Sequence, residues 1–230
     1  MKAPLKLLCS MATRELLTAL AEAYRRVSGR QVVTEAAGGV DVAKRIEAGE
    51  AADVVVLAAG AIDKLIAAGR VLADSRADLV RSGVSVAVRA GVPKPDIGSA
   101  EAVKRAVLAA KSLSYSTGPS GVYLEKLFER WGILEGIRGR IVVPRPGTAV
   151  GSLVASGEAE LGFQQLSELM HLGGVEVVGP LPPAIQTITI FSGGICGRSG
   201  DPEAARVLLR YLASADTAAL KQRHGMEAAA

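Results

Sequence analysis

Four short segments place small hydroxyl and glycine residues where an apolar run gives way to a helical one. They are Ser10-Met11-Ala12-Thr13, Gly38-Gly39-Val40, Ser116-Thr117-Gly118-Pro119-Ser120-Gly121 and Pro146-Gly147-Thr148. In a parallel α/β sheet such loops lie outside the carboxyl ends of strands, where ligands bind. Each following helix opens with unpaired N–H groups and the positive end of its dipole, a seat for an anion. Serine and threonine hydroxyls there can donate to the same oxygens. Ser10, Met11, Gly38, Gly39, Thr117, Ser120, Gly121 and Thr148 are therefore candidate ligand contacts. Simple capping accounts for any one hydroxyl, and Ser10, Thr13, Ser120 and Thr148 are all of capping type. Four such loops spread over both halves of the chain favour an anion site. Gln165 joins the set, with Ser167 near it, because Gln164-Gln165-Leu166-Ser167-Glu168 sits where a strand ends. Among the cations, Arg81 is the preferred contact. Arg14 and Arg145 border two of the loops, and any of the three could pair a carboxylate bidentately.

Other chemistries find little support. There is no G-x-S-x-G elbow, no phosphate-binding P-loop and no H-E-x-x-H helix. The two histidines, His171 and His224, do not suggest a triad or a metal site, and no cofactor is expected. Gly193-Gly194-Ile195-Cys196-Gly197 comes too late to open a dinucleotide fold. A net charge of +4 on a chain of mixed charges fits a mild preference for anionic ligands. Basic residues do not cluster with interleaved aromatics, so no nucleic-acid partner is expected. No apolar run approaches the ~20 residues that cross a bilayer, so no membrane insertion is expected. Cys9 and Cys196 sit in apolar, strand-like contexts and read as buried free thiols.

The elements that must position these loops alternate strand and helix, which argues for an α/β fold. Apolar content is 49% but aromatics are 3%, which suits Ala/Val/Leu/Ile helices on mostly parallel strands. One unit recurs. Helix, Gly49, Glu50, Ala51, Ala52, Asp53 and an apolar strand in the first half answer helix, Gly157, Glu158, Ala159, Glu160 and a strand in the second. The reading is two doubly wound α/β lobes: residues 1–82 plus 196–230, and 83–195, with a ligand cleft between them. Two hinge strands, Ser82 to Arg89 and Thr187 to Cys196, would join them. Ile141 to Val143 is expected as a further strand.

At these residues the chain resembles the type 2 periplasmic-binding (solute-binding) proteins, and is most similar to their molybdate-binding branch. The resemblance covers nearly the whole chain and rests on Val42–Leu57, Leu153–Phe163 and the Ser10 loop. It implies two α/β lobes, a small anion trapped between them by hinge closure, and an ABC transporter permease as partner. The family's first-loop serine matches Ser10. Its second-loop Ser-Gly falls on Gly38-Gly39, and its later Tyr-x-Thr-Asp falls on Gln165-Leu166-Ser167-Glu168. With two hydroxyl contacts absent, an organic di- or tricarboxylate is expected ahead of molybdate. A related branch resembles aconitate isomerase, which moves a proton and a double bond in a tricarboxylate. Glu168, Tyr115, Cys9 and His171 are the candidate bases for such a reaction, and the sequence singles out none. No leader is visible ahead of Leu5, so the location is expected to be periplasmic if one has been removed and cytoplasmic otherwise.

Overall fold

The computed structural model describes residues 3–145 and 147–229, so Pro146 of the fourth loop lies outside the described residues. In chain order the elements begin with β1 (Leu5–Ser10), α1 (Arg14–Ser28), β2 (Val32–Ala37), α2 (Gly39–Glu47), β3 (Val54–Ala58), α3 (Ala59–Ala67) and β4 (Ala77–Arg89). Then come α4 (Ala100–Ala109), β5 (Leu113–Tyr115), α5 (Pro119–Arg130), α6 (Leu134–Ile137), α7 (Val150–Ser156), β6 (Leu161–Gln165) and α8 (Leu166–Leu169). The chain closes with β7 (Val175–Pro180), β8 (Ile188–Ile195), α9 (Pro202–Ala213), α10 (Ala218–Arg223) and β9 (Glu227–Ala228). Two compact units emerge: Met1–Arg81 with Ile190–Ala230, and Ser82–Thr189. Their boundaries fall inside β4 and β8. Ile190 to Ile195 belongs with the first unit because β8 pairs antiparallel with β3, Val54 opposite Ile195 and Ala58 opposite Phe191.

In the first unit β1 lies between β2 and β3, parallel to both. Its side chains alternate between two cores. Leu5, Leu7 and Cys9 face α1 and α9 through Leu16, Leu20, Leu208 and Leu212. Leu8 faces α2 and α3 with Val42, Ile46, Ile62 and Leu65. β3 repeats this, with Val54 and Val56 on one side and Val55 and Leu57 on the other. A strand covered on both faces has no polar side to spare, hence the unbroken Val54-Val55-Val56-Leu57 run. Each such side chain contributes roughly 1.5–3 kcal/mol by its burial.

The second unit pairs β5 parallel to β6, and β4 antiparallel to both β6 and β7, with a bulge at Val86/Ala87. Its core gathers much of the chain's scarce aromatic content. Phe128 of α5 has Tyr115, Trp131 and Phe163 around it at ring distances of 6.0, 6.0 and 6.2 Å. Offset and edge contacts of this kind add to area burial. The opposite face of β6 packs on α7 through Val150 and Val154, close enough that Gly162 has no room for a side chain.

One expected element is shorter than its sequence suggests. Ile141 forms only an isolated bridge with Leu113, where a strand to Val143 was expected. The Val142 carbonyl is taken by the Ser114 hydroxyl at 2.7 Å, and Pro144 brings no N–H to extend a ladder. Asp201 caps α9 as its sequence implies, accepting from Ala204 N at 3.1 Å with Pro202 in the first turn. Both cysteines are buried free thiols. No described helix is long and apolar enough to cross a membrane.

Candidate functional site

In the first unit the loops after β1 and β2 meet. Ser10 ends β1 directly opposite Ala37, the last residue of β2. A Cβ on Gly39 would stand 3.7 Å from the Ser10 Cβ, so glycine brings the first turn of α2 beside the serine. Ser10 is 7% exposed and Thr13 is 1% exposed. The Thr13 hydroxyl donates to the Ser10 carbonyl at 3.1 Å and lies 3.3 Å from the Ser10 hydroxyl. A threonine carries one hydroxyl hydrogen. With that hydrogen on the carbonyl, the Ser10 hydroxyl is the donor of the pair, and a ligand gains its hydrogen only by drawing it away from the Thr13 oxygen. Met11 follows it, half-buried in a 3-10 turn.

The second unit contains a matching pair. Ser116 and Ser120 hydroxyls stand 2.9 Å apart at the entry to α5. One hydroxyl must donate to the other, which leaves the second one's hydrogen for another acceptor. The loop closes tightly: a Cβ on Gly121 would collide with the Ser116 carbonyl oxygen. Thr117 at the loop tip is exposed. Thr148 is half-buried ahead of α7, its N–H bonded to the Arg145 carbonyl at 2.9 Å.

The expected capping roles do not hold. Ser10 and Thr13 make no side-chain cap bond to the helices they precede. Gly118 is the cap of α5, and Ser120 lies inside the helix. Ala149, not Thr148, is the cap of α7. The Ser10 and Thr13 hydroxyls lie against each other, as do those of Ser116 and Ser120, so capping does not explain these pairs.

At the end of β6, Gln165 is 4% exposed. Its amide nitrogen donates to the Thr189 hydroxyl at 3.1 Å, while its Oε1 is buried without a hydrogen-bond partner among the described residues. Such an atom costs on the order of 1–3 kcal/mol unless something pairs it. Gln164, pointing to the other face, accepts from Gly151 N at 3.2 Å and donates to the Glu168 carboxylate at 2.8 Å. Sequence reasoning missed Ser116, Thr189 and Gln164. The serine spacing across Pro119 could have signalled the first; Thr189 reaches Gln165 only through the fold.

The cations are less central than expected. Arg81 pairs with Glu227 at 2.7 Å across β4 and β9 rather than with any of these loops. Arg14 opens α1 but is bound to Glu15 at 2.8 Å. Arg145 is exposed beside the fourth loop. Of the candidate bases, burial pushes the Cys9 thiol up to about 12 and also raises the Tyr115 phenol. Among the described residues no cluster of three His, Cys, Asp or Glu could hold a metal.

The fold and loops have clear relatives. The chain is 41% identical over 216 residues to an aconitate isomerase from a Pseudomonas species, covering 90% of this chain and 81% of that protein. It superposes on the Azotobacter vinelandii periplasmic molybdate-binding protein with a TM-score of 0.82 at 21% identity, covering 96% and 98% of the two chains. The sulfate-binding protein SubI of Mycobacterium tuberculosis H37Rv follows the same fold, with a TM-score of 0.78 at 17% identity and coverage of 98% and 86%. The sequence profile described as bacterial extracellular solute-binding protein matches residues 5–227. The chain belongs to the bacterial extracellular solute-binding protein family.

Proposed function

We propose that this protein binds a small organic anion, a di- or tricarboxylate such as aconitate, through the hydroxyl-bearing loops that follow its strands. One observation carries the reading: each unit ends a strand in a hydroxyl pair, Ser10 with Thr13 and Ser116 with Ser120, that serves no helix cap. The second pair keeps a hydrogen for an outside acceptor, and the first yields one when the Ser10 hydroxyl turns away from Thr13. Gly38-Gly39 offers only backbone N–H groups where a molybdate receptor would bring a hydroxyl, which supports carboxylate over oxyanion. The setting implied by family membership is periplasmic or extracellular, and the partner an ABC transporter permease.

Thermal unfolding against cis-aconitate, trans-aconitate, citrate, molybdate, tungstate and sulfate tests this. A true ligand at 100-fold its dissociation constant stabilises by about 2.7 kcal/mol, several degrees in Tm. A shift with the carboxylates alone supports the proposal; a shift with molybdate alone overturns it.

The 41% identity to an aconitate isomerase favours a second reading, turnover of the bound tricarboxylate on the same scaffold. Incubation with either aconitate isomer, followed by proton NMR, decides it. Interconversion supports the enzyme, and no conversion at micromolar protein removes it.

A further inference from the structure

Resting on the isomerase reading, we propose that Glu168 is the base that carries the proton and that Gln164 is the residue that positions it. Aconitate is a propene bearing one carboxylate on each carbon. Interconversion needs a proton taken from the methylene carbon and one returned to the far carbon. The broken C–H bond leaves its electron pair as a new double bond to the central carbon. The former π pair moves onto the far carbon and its carboxylate. The same base then delivers its proton there, forming the new C–H bond. One proton leaves and one returns, the carboxylate base is regenerated, and no oxidant or cofactor enters.

Three of the four candidate bases are poorly placed for this. Cys9 is fully buried in the β1 core. Tyr115 is packed edge-on against Phe128. His171 is exposed in the turn beyond α8. Glu168 lies three residues beyond Gln165, at the carboxyl end of β6. Its carboxylate accepts the Gln164 amide at 2.8 Å. Gln164 is 4% exposed, and its own oxygen is anchored by Gly151 N at 3.2 Å. The chain from helix amide to glutamine to carboxylate holds one Glu168 oxygen in a fixed direction. A base held in place avoids an orientational search during reaction. Glu168 is half-buried, so water can exchange its proton between turnovers. The negative charge that spreads over the substrate carboxylates during transfer would be met by the Ser116 and Ser120 hydroxyls of the same unit, donors set before reaction.

The test uses the full chain with cis- and trans-aconitate, comparing wild type with Glu168→Gln, Glu168→Asp and Gln164→Leu. Affinity is measured by calorimetry and turnover by NMR in H2O and D2O. Glu168→Gln should bind aconitate within about threefold of wild type and lose 100-fold or more in kcat, the size of a lost general base. It should also lose solvent deuterium incorporation, and Glu168→Asp should recover part of the rate. Gln164→Leu should lower kcat about 10-fold with KM held. It should move the acid limb of the kcat profile to higher pH, because the amide donor favours the charged carboxylate. Wild-type turnover that survives in Glu168→Gln overturns the base assignment and leaves the isomerase standing. Binding lost together with turnover makes Glu168 a ligand contact and also overturns it. Wild type that binds but never converts aconitate removes the isomerase reading itself.

Discussion

The repeated segment folds the same way twice and is embedded differently each time. In the first unit α2 ends at Gly49 with φ +88, and in the second α7 ends at Gly157 with φ +83, left-handed turns that glycine adopts without strain. An arginine lies over each turn, Arg198 at Gly49 and Arg89 at Gly157. An acid then precedes each strand and accepts the backbone N–H of a neighbouring chain segment: Asp53 from Lys6 at 2.8 Å, Glu160 from Lys111 at 2.7 Å. There the likeness ends. Asp53 is 9% exposed and also accepts from the Ser199 hydroxyl at 2.6 Å and Gly200 N at 3.1 Å. Glu160 is exposed. One clasp holds β1, β3 and the turn after β8 together, while the other trims a surface edge. Repetition fixes the local geometry, and burial decides its energetic weight.

The largest effect should separate these two acids. Asp53→Ala strands three donors in a site water reaches poorly, so unfolding should be easier by about 3–4 kcal/mol. Glu160→Ala leaves its donor to water and should cost under about 1 kcal/mol. Urea unfolding measures both, and equal losses would break the distinction between a buried and a surface clasp.

The loop glycines differ just as sharply. Gly39 has open space to 3.7 Å, whereas a methyl group on Gly121 has to displace the Ser116 carbonyl. Gly121→Ala should therefore cost about 2–3 kcal/mol and pull the Ser116–Ser120 pair apart. Gly39→Ala should stay within about 0.5 kcal/mol of wild type. Denaturant midpoints check both, and an undisturbed Gly121→Ala would mean that α5 can shift without cost.

Much of this was legible from residue order alone. Period-two and continuous apolar runs marked β1 and β3, glycines marked the helix ends, and Asp201-Pro202 marked the start of α9. The two-lobe reading came from the repeat, because Gly49-Glu50 and Gly157-Glu158 share local chemistry. What residue order hid was pairing at long range. Arg81 stood out because it precedes the proposed hinge strand, while its partner Glu227 is 146 positions away. Thr189 reaches Gln165 across 24 positions. Ser10 and Ser120 looked like caps because hydroxyls before a helix usually are. Only the direction they face, toward a second hydroxyl and not a helix N–H, shows otherwise.

That direction yields the third contrast. Ser10→Ala and Ser120→Ala should each weaken binding of the carboxylate ligand by about 1 kcal/mol, roughly fivefold in Kd, with little change in stability. Calorimetric titration with aconitate measures both. A loss at Ser10 with none at Ser120 would confine the ligand to the first unit. No loss at either would make the hydroxyl pairs structural.

The smallest effect lies in the residue after each turn glycine. Glu50 is bound by Arg45 at 2.6 Å and Lys6 at 2.8 Å, with Glu35 beside both cations. The Arg45 guanidinium, then the Lys6 ammonium, hold its carboxyl down to about 2. Glu158 accepts only from the Ser156 hydroxyl at 2.9 Å among the described contacts. A carboxyl depressed in the folded state lends stability above its unfolded value near 4.3, and that stability is lost as pH falls toward the folded value. Glu50→Gln should thus cost up to about 1 kcal/mol at pH 7, because the pair is partly exposed and screened by salt. The gap to wild type should close between about pH 4 and pH 2, and shrink in 1 M salt at any pH. A Glu50→Gln deficit that stays constant down to pH 2 would trace the loss to packing of the side chain, since most of the charge-linked stability is gone there.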